Sequence, residues 1–98
     1  MFNDELLGFI HEPARLSAMV HLASVKRADF VFLLAATELS RGNLSVQMRK
    51  LAERGLIEIE KIIEDNRPRT LYQITPFGRK ALRKYRKAMV ELLEALPS

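Results

Sequence analysis

The sequence predicts a mainly α fold of the α+β class, a single domain of residues 1–98 with five helices and one two-stranded β-hairpin. Three observations carry this. Apolar residues recur at helical spacing as far as residue 54, alternate with polar ones between residues 56 and 75, and return to helical spacing from residue 76. Prolines and capping residues stand where those periods change. Finally, 98 residues, 48% of them hydrophobic, are enough for one real core and too few for two.

Residues 3–10 make the first helix: Asn3 and Asp4 can cap it, Leu6, Leu7, Phe9 and Ile10 give it an apolar side, and the approach of Pro13 ends it. Pro13 suits the first turn of a second helix, where its missing N–H is no loss. Leu16, Met19, Val20 and Ala23 define that helix's buried face, and it should end near Ser24 or Val25. Lys26, Arg27 and Ala28 form a connector. Asp29 caps a third helix, Phe30 to about Thr37, whose sequence FVFLLAAT is apolar nearly all round and is expected to lie buried. Ser40 caps a fourth that runs to Arg54 and closes on Gly55, the residue best able to adopt a left-handed conformation there. Leu44, Met48 and Leu51 share one side of this helix, while Gly42, Val46, Arg49 and Glu53 share the other.

After Gly55, Ile57, Ile59 and one of Ile62 or Ile63 alternate with charge, which argues a strand. Residues 64–69, EDNRPR, are turn chemistry, and residues 70–75 supply the second strand. Thr75 and Pro76 are a cap followed by a first-turn proline, opening a last helix of about 20 residues, roughly 30 Å long. Within it Leu82, Tyr85, Met89, Leu92 and Leu96 are spaced three, four, three and four, a heptad seam longer than so small a domain can cover. A second copy is the economical partner, with Phe2, Leu6 and Ile10 of the first helix widening the interface. Residues 1–11 and 76–98 are therefore expected to be dimerisation helices around a core of about residues 12–75. The plainer alternative is a last helix that simply folds back over its own core.

No cysteine is present, which excludes a disulfide framework, a thiolate metal site, a cysteine nucleophile and a thiol redox sensor. His11 and His21 have no nucleophile, carboxylate pair or metal-ligand spacing near them, so they are expected to be surface or packing residues. No catalytic residue, metal site or cofactor is expected, and the chain is not expected to be an enzyme. No apolar run reaches the roughly 20 residues a bilayer requires, and Asp4 and Glu5 stand where a signal peptide carries positive charge. A cytoplasmic chain without a membrane partner is the expectation.

The net charge of +4 conceals a polarised distribution. Residues 1–40 carry three basic and five acidic side chains, net −2; residues 41–87 carry thirteen and five, net +8; residues 88–98 return −2. Such a field suits a phosphate-rich partner, although charge alone is equally compatible with a solvated basic face.

The order of elements sharpens this: helix, buried helix, tight turn, polar-faced helix, hairpin with a basic tip, long helix. It is the order of a winged helix-turn-helix with an extra N-terminal helix, in which the third core helix enters the major groove and the hairpin reaches adjacent backbone or minor groove. The residues suit that task. Arg41 and Asn43 can donate to or accept from bases, Val46 can contact a thymine methyl, and Gln47 can pair with adenine. Arg49 and Lys50 are placed for phosphates, Ser40 and Ser45 offer hydroxyls to them, and Arg67 and Arg69 flank a stiffening proline on the wing.

Residues 39–57, LSRGNLSVQMRKLAERGLI, and 69–82, RTLYQITPFGRKAL, resemble the short winged-helix transcriptional regulators of bacteria and archaea, which are related to the multiple-antibiotic-resistance and arsenic-repressor regulators. Upstream, Glu12-Pro13-Ala14-Arg15-Leu16 is similar to the family's H-P-x-R-L. The resemblance covers about residues 12–85. It implies that residues 41–50 contact DNA, that the last helix forms a homodimer, and that the two recognition helices address a pseudo-palindromic operator, as a repressor or else as an activator. Two positions depart from the pattern. Gln47 stands where histidine is frequent, which implies altered base or phosphate preference. Glu38 stands where relatives often place a turn glycine, so either it tolerates an unfavourable angle or the turn has changed.

The alternative is a winged helix that binds protein and never touches DNA, since folds are reused across functions; the charge on residues 41–87 and the wing arginines argue against it. RNA or nonspecific nucleic-acid binding is a further possibility. The basic ladder Arg79, Lys80, Arg83, Lys84, Arg86 and Lys87 either flanks DNA or solubilises the dimer helix by pairing with Glu91 or Glu94. A small-molecule effector, if the chain has one, is expected at the dimer junction among Phe2, Leu6, Met89 and Leu92.

Overall fold

The structure is a computed structural model describing residues 2–98. Its elements run α1 (Glu5–Ile10), α2 (Pro13–Ala23), β1 (Ala28–Asp29), α3 (Phe30–Thr37), α4 (Arg41–Glu53), β2 (Ile57–Glu64), β3 (Arg67–Ile74) and α5 (Pro76–Glu94). Each helix begins on a side chain that takes up its free N–H groups, which is why the boundaries fall where the polar residues stand. The Asp4 carboxylate accepts from Leu6 N at 2.8 Å, Asp29 from Phe32 N at 2.8 Å, Ser40 Oγ from Asn43 N at 3.1 Å and Thr75 Oγ1 from Gly78 N at 2.8 Å. Glu12 caps α2 through Arg15 N at 2.9 Å. Helix α4 closes on Gly55, at φ 72°, and Leu56 N donates across that turn to Leu51 O at 3.0 Å.

The sheet is richer than a hairpin. Its order is β1-β3-β2, because Ala28, expected in a connector, and Asp29, the cap of the third helix, pair antiparallel with Tyr72 and Leu71. Two residues are too few to show a period, so only the fold reveals them as a strand. The wing is also longer than its turn chemistry suggested. Strand pairing runs to Glu64 and Arg67, leaving Asp65 and Asn66, at φ 52° and 62°, as a two-residue turn with both residues left-handed. Pro68 lies inside β3 opposite Ile63, where β1 does not reach, so its missing N–H leaves no ladder partner wanting on that open edge.

Leu22, Leu33, Leu44, Met48, Leu51 and Leu56 lie at the centre of one core, which α1 and α5 extend. Helix α3 corrects an expectation. Only Leu33 of its residues is fully buried, while Val31 is 66% and Phe32 44% exposed, because a three-element packing against α2 and the sheet covers one side of an all-apolar helix and leaves the other open. Another correction concerns the heptad seam. Ile10 is fully buried and Tyr85 only 7% exposed within the single chain, since α1 folds onto α5 and His11 Nδ1 meets the Tyr85 hydroxyl at 2.8 Å, with Phe2 edge-on to His11. Lys84 turns to Asp4, at 3.1 Å, rather than along its own helix to Glu91 or Glu94. Helix α5 ends at Glu94, so Leu96 lies beyond it.

The start of α5 is fixed by a close approach. A Cβ on Gly78 would lie 2.0 Å from the Leu56 carbonyl oxygen, so glycine is the residue this contact admits. The free end of α5 and the wing stretch the molecule to 55 × 24 × 21 Å, with a radius of gyration of 14.6 Å against about 13 Å for a compact domain of this length.

Candidate nucleic-acid interface

Helix α4 sets one row of side chains in the core and another in solvent. Leu44, Met48 and Leu51 face the core, while Arg41, Gly42, Asn43, Ser45, Arg49 and Lys50 are exposed and Val46 is half-buried. Arg41, Lys50 and Arg67 have no carboxylate partner among the described residues, so their full charge is available to an anion. Arg49 shares its charge with Glu53 one turn on, at 4.0 Å. Ser40 is occupied as the cap of α4, although its oxygen keeps a second lone pair.

Asp29 and Phe30, at the start of α3, join α4 to the wing. The Arg41 guanidinium sits 5.8 Å from the centre of the Phe30 ring, a cation–π distance. Next to it, Asp29 accepts from Arg69 at 3.1 Å, and Arg69 also meets both oxygens of Glu64 at 2.9 and 3.0 Å. Arg69, expected to reach DNA from the wing, is thus engaged in bracing the outer half of the hairpin against the start of α3; Arg67, nearer the turn, has no ion-pair partner among the described residues. Asp29 is held below its usual carboxylate pKa first by the Phe32 N–H and then by Arg69, while partial burial opposes them. Phe30 is a member of this arrangement that its place in an apolar helix concealed.

Gln47 is the largest departure from expectation. It is 9% exposed, and its amide lies along the inner edge of α4 instead of presenting itself for adenine. Its Oε1 accepts from Arg15 Nη1 at 3.0 Å and its Nε2 donates to Asn43 Oδ1 at 3.0 Å. Burial of an amide demands such partners, and both are supplied. Arg15 is itself anchored, its Nε donating to Phe9 O at 2.7 Å and its guanidinium lying 4.3 Å from the Phe9 ring centre. Arg54 also approaches that ring, to 4.4 Å, and pairs with Glu5. The signal for Arg15 was in the sequence as the arginine of the E-P-A-R-L segment on an otherwise apolar helix.

Elsewhere, an apolar cavity of about 460 Å³ opens between α2 and α5, lined by Leu16, Val20, Leu82, Met89, Val90 and Leu93. It shares Met89 with the expected effector junction but lies away from Phe2, Leu6 and Leu92, because α1 already covers the other side of α5. Leu92 and Leu93, at 44% and 59% exposure, continue the apolar strip towards the free end of the helix. His21 is turned to its own helix, its ring Nδ1 2.7 Å from Ser17 O. No group of His, Asp and Glu suited to a metal ion occurs among the described residues.

Residues 14–93 match the winged helix DNA-binding domain family. Protein MJ0432 of Methanocaldococcus jannaschii is 30% identical over 78 residues, 80% of this chain and 85% of that one. Among solved structures, the transcriptional regulator homologue of Pyrococcus horikoshii OT3 is similar with a TM-score of 0.87 and 29% identity, over 96% of this chain and 95% of its own. A MarR-family protein of Enterococcus faecalis V583 shares the fold, with a TM-score of 0.75 and 24% identity over 92% of this chain and 80% of its own.

Proposed function

The chain belongs to the winged helix DNA-binding domain family, and from that premise we propose that it is a homodimeric transcriptional regulator that reads a pseudo-palindromic operator in double-stranded DNA. The observation that carries this reading is the face of α4: Arg41, Asn43, Ser45 and Lys50 stand exposed on a helix whose other side is sealed into the core, with Arg41 and Lys50 free of ion pairs among the described residues. Arg41 and Asn43 at the N-terminal end are placed for base edges, Val46 for a thymine methyl, and Ser40, Ser45, Arg49 and Lys50 for phosphates. Arg67 takes the backbone beside the wing. Gln47 and Arg69 act from behind, one under the recognition helix and one under the wing.

The dimer reading rests on α5. With Ile10 and Tyr85 in the chain's own core, the surface left for a partner is the strip of Leu82, Met89, Val90, Leu92 and Leu93 with Val20 of α2, flanked by Phe2 and Leu6. A two-fold pairing of that strip would present two α4 helices to half-sites roughly 34 to 36 Å apart.

Titration of duplex against salt tests the DNA reading. Affinity should fall linearly in log salt, with a slope of about 0.9 per phosphate contact, and Arg67→Ala should weaken binding to all duplexes and lower the slope by about 0.9 per chain. Arg41→Ala should instead reduce the preference for operator over random duplex. An affinity indifferent to salt, or equal losses on operator and random duplex for Arg41→Ala, would contradict the assignment.

A further inference from the structure

Three side chains form a hydrogen-bonded series that ends on the exposed face of α4: Arg15 to Gln47 at 3.0 Å and Gln47 to Asn43 at 3.0 Å. We propose that Arg15 and Gln47 set the base preference of the recognition helix by fixing the side-chain amide of Asn43, so that Asn43 meets DNA as a donor and favours the acceptor edge of guanine or thymine over adenine. The proposal deepens the DNA-binding reading and rests on α4 being the helix that enters the groove.

Hydrogen-bond polarity fixes the orientation of both amides. An amide can be turned end for end at little steric cost, so Gln47 and Asn43 alone leave their orientation open. A guanidinium removes the choice, because it holds only N–H groups and no acceptor. Arg15 therefore needs an oxygen opposite it, and Gln47 must offer Oε1. The Nε2 of Gln47 is then the end directed at Asn43, one helical turn earlier on the same face, and only an oxygen can receive it. Asn43 thus turns Oδ1 back towards a glutamine that is 9% exposed, leaving Nδ2 with no protein partner among the described residues. The origin of the series is immobilised: the Arg15 side chain is 15% exposed, donates to Phe9 O, and stacks on the Phe9 ring. Rotation of the Asn43 amide would break one hydrogen bond and set Oδ1 towards the groove in place of two N–H groups.

In the major groove guanine presents N7 and O6 as acceptors and thymine presents O4, whereas adenine sets the donor N6–H2 beside its one acceptor, N7, so that a donor edge is opposed there and the bidentate pairing needs the asparagine oxygen as well. With Oδ1 drawn along the helix, the donor edge is what remains. Arg15, in α2, and Gln47, on the inner edge of α4, are then positioning residues that determine specificity without touching DNA.

Gln47→Glu is the decisive variant. A carboxylate has only acceptors, so it keeps Arg15 and requires a donor from Asn43, whose amide must turn and present Oδ1 to the groove. Duplexes selected by the wild-type chain should carry guanine or thymine at the position where Asn43→Ala loses discrimination, preferred roughly tenfold over adenine. In Gln47→Glu the preference at that position should move to a base with an exocyclic amine, adenine or cytosine, and in Arg15→Met it should widen to include adenine. In the free wild-type protein, the side-chain amide protons of Gln47 should exchange with water measurably more slowly by NMR than those of Asn43. Adenine at the Asn43 position of the wild type, an unchanged preference in a folded Gln47→Glu, or equally fast exchange of the two amides would each overturn the proposal. Failure of the wild type to bind any duplex would overturn the DNA reading and the base preference with it; slow Gln47 exchange would distinguish that failure from a wrong amide orientation.

Discussion

Glu38 occupies the left-handed region, at φ 58° and ψ 19°, in the turn that joins α3 to α4. A non-glycine side chain there carries a penalty of about 1 kcal/mol, and the residue is exposed, so no packing offsets it. Glu38→Gly should raise thermal stability by up to about 1 kcal/mol, less whatever the more flexible unfolded chain takes back. It should also strengthen DNA binding by removing a negative charge beside the start of α4; a lower melting temperature together with unchanged affinity would contradict this. Asp29 gives the residue scale its pH dependence. Its folded pKa lies below the ordinary 3.8, so the stabilisation it brings is complete above that value and disappears as pH falls through the lower folded value. Asp29→Asn should be less stable than the wild type at pH 6 and indistinguishable from it well below pH 3.8 in chemical denaturation at matched pH. The residue scale is also where the sequence misled most. Exposure and partner choice of Gln47 and Arg69 depend on residues 32 and 40 positions away, and no local pattern contains that information.

At the scale of elements, the caps Asp4, Asp29, Ser40 and Thr75 and the closing Gly55 were legible because each satisfies its own helix within three residues or so. Strand β1 and the outer half of the wing were not. The first is too short for a period, and the second contains Pro68, which reads as turn until the open edge of β3 is known. The one-sided burial of α3 escaped for a different reason: an apolar helix has no polar face to say which side is wet, and only the count of elements available to cover it decides. The joint between the wing and α5 yields a sharp expectation. Gly78→Ala drives a methyl into the Leu56 carbonyl, which must shift the end of α4's closing turn or the start of α5. It should destabilise the fold by about 2 kcal/mol or more in urea denaturation, whereas alanine at Gly8, which has open space around it, should not. Equal effects of the two substitutions would refute the close approach.

The whole molecule is elongated, polarised in charge, and unevenly covered. Its long dimension of 55 Å ends in a helix whose last turns expose Val90, Leu92 and Leu93, next to an apolar cavity shared with α2. Leu93→Asp should convert a dimer to a monomer in sedimentation equilibrium while leaving the circular dichroism spectrum intact, because the side chain is 59% exposed in the single chain; a dimer of unchanged affinity would place the interface elsewhere. The net +8 of residues 41–87 acquires its meaning at this scale as well. Arg49, Arg54, Arg69 and Lys84 are engaged in internal pairs, while Arg41, Lys50 and Arg67 are among those with no ion-pair partner among the described residues. The measurement that bears most directly on the regulator reading is selection of bound duplexes from a random pool, followed by competition of the recovered sequence against a scrambled one. The expected result is an enriched site of two inverted halves about one helical turn apart, bound at least about a thousandfold more tightly than scrambled duplex at physiological salt. Recovery of unenriched sequence, or equal affinity for both duplexes, would contradict it.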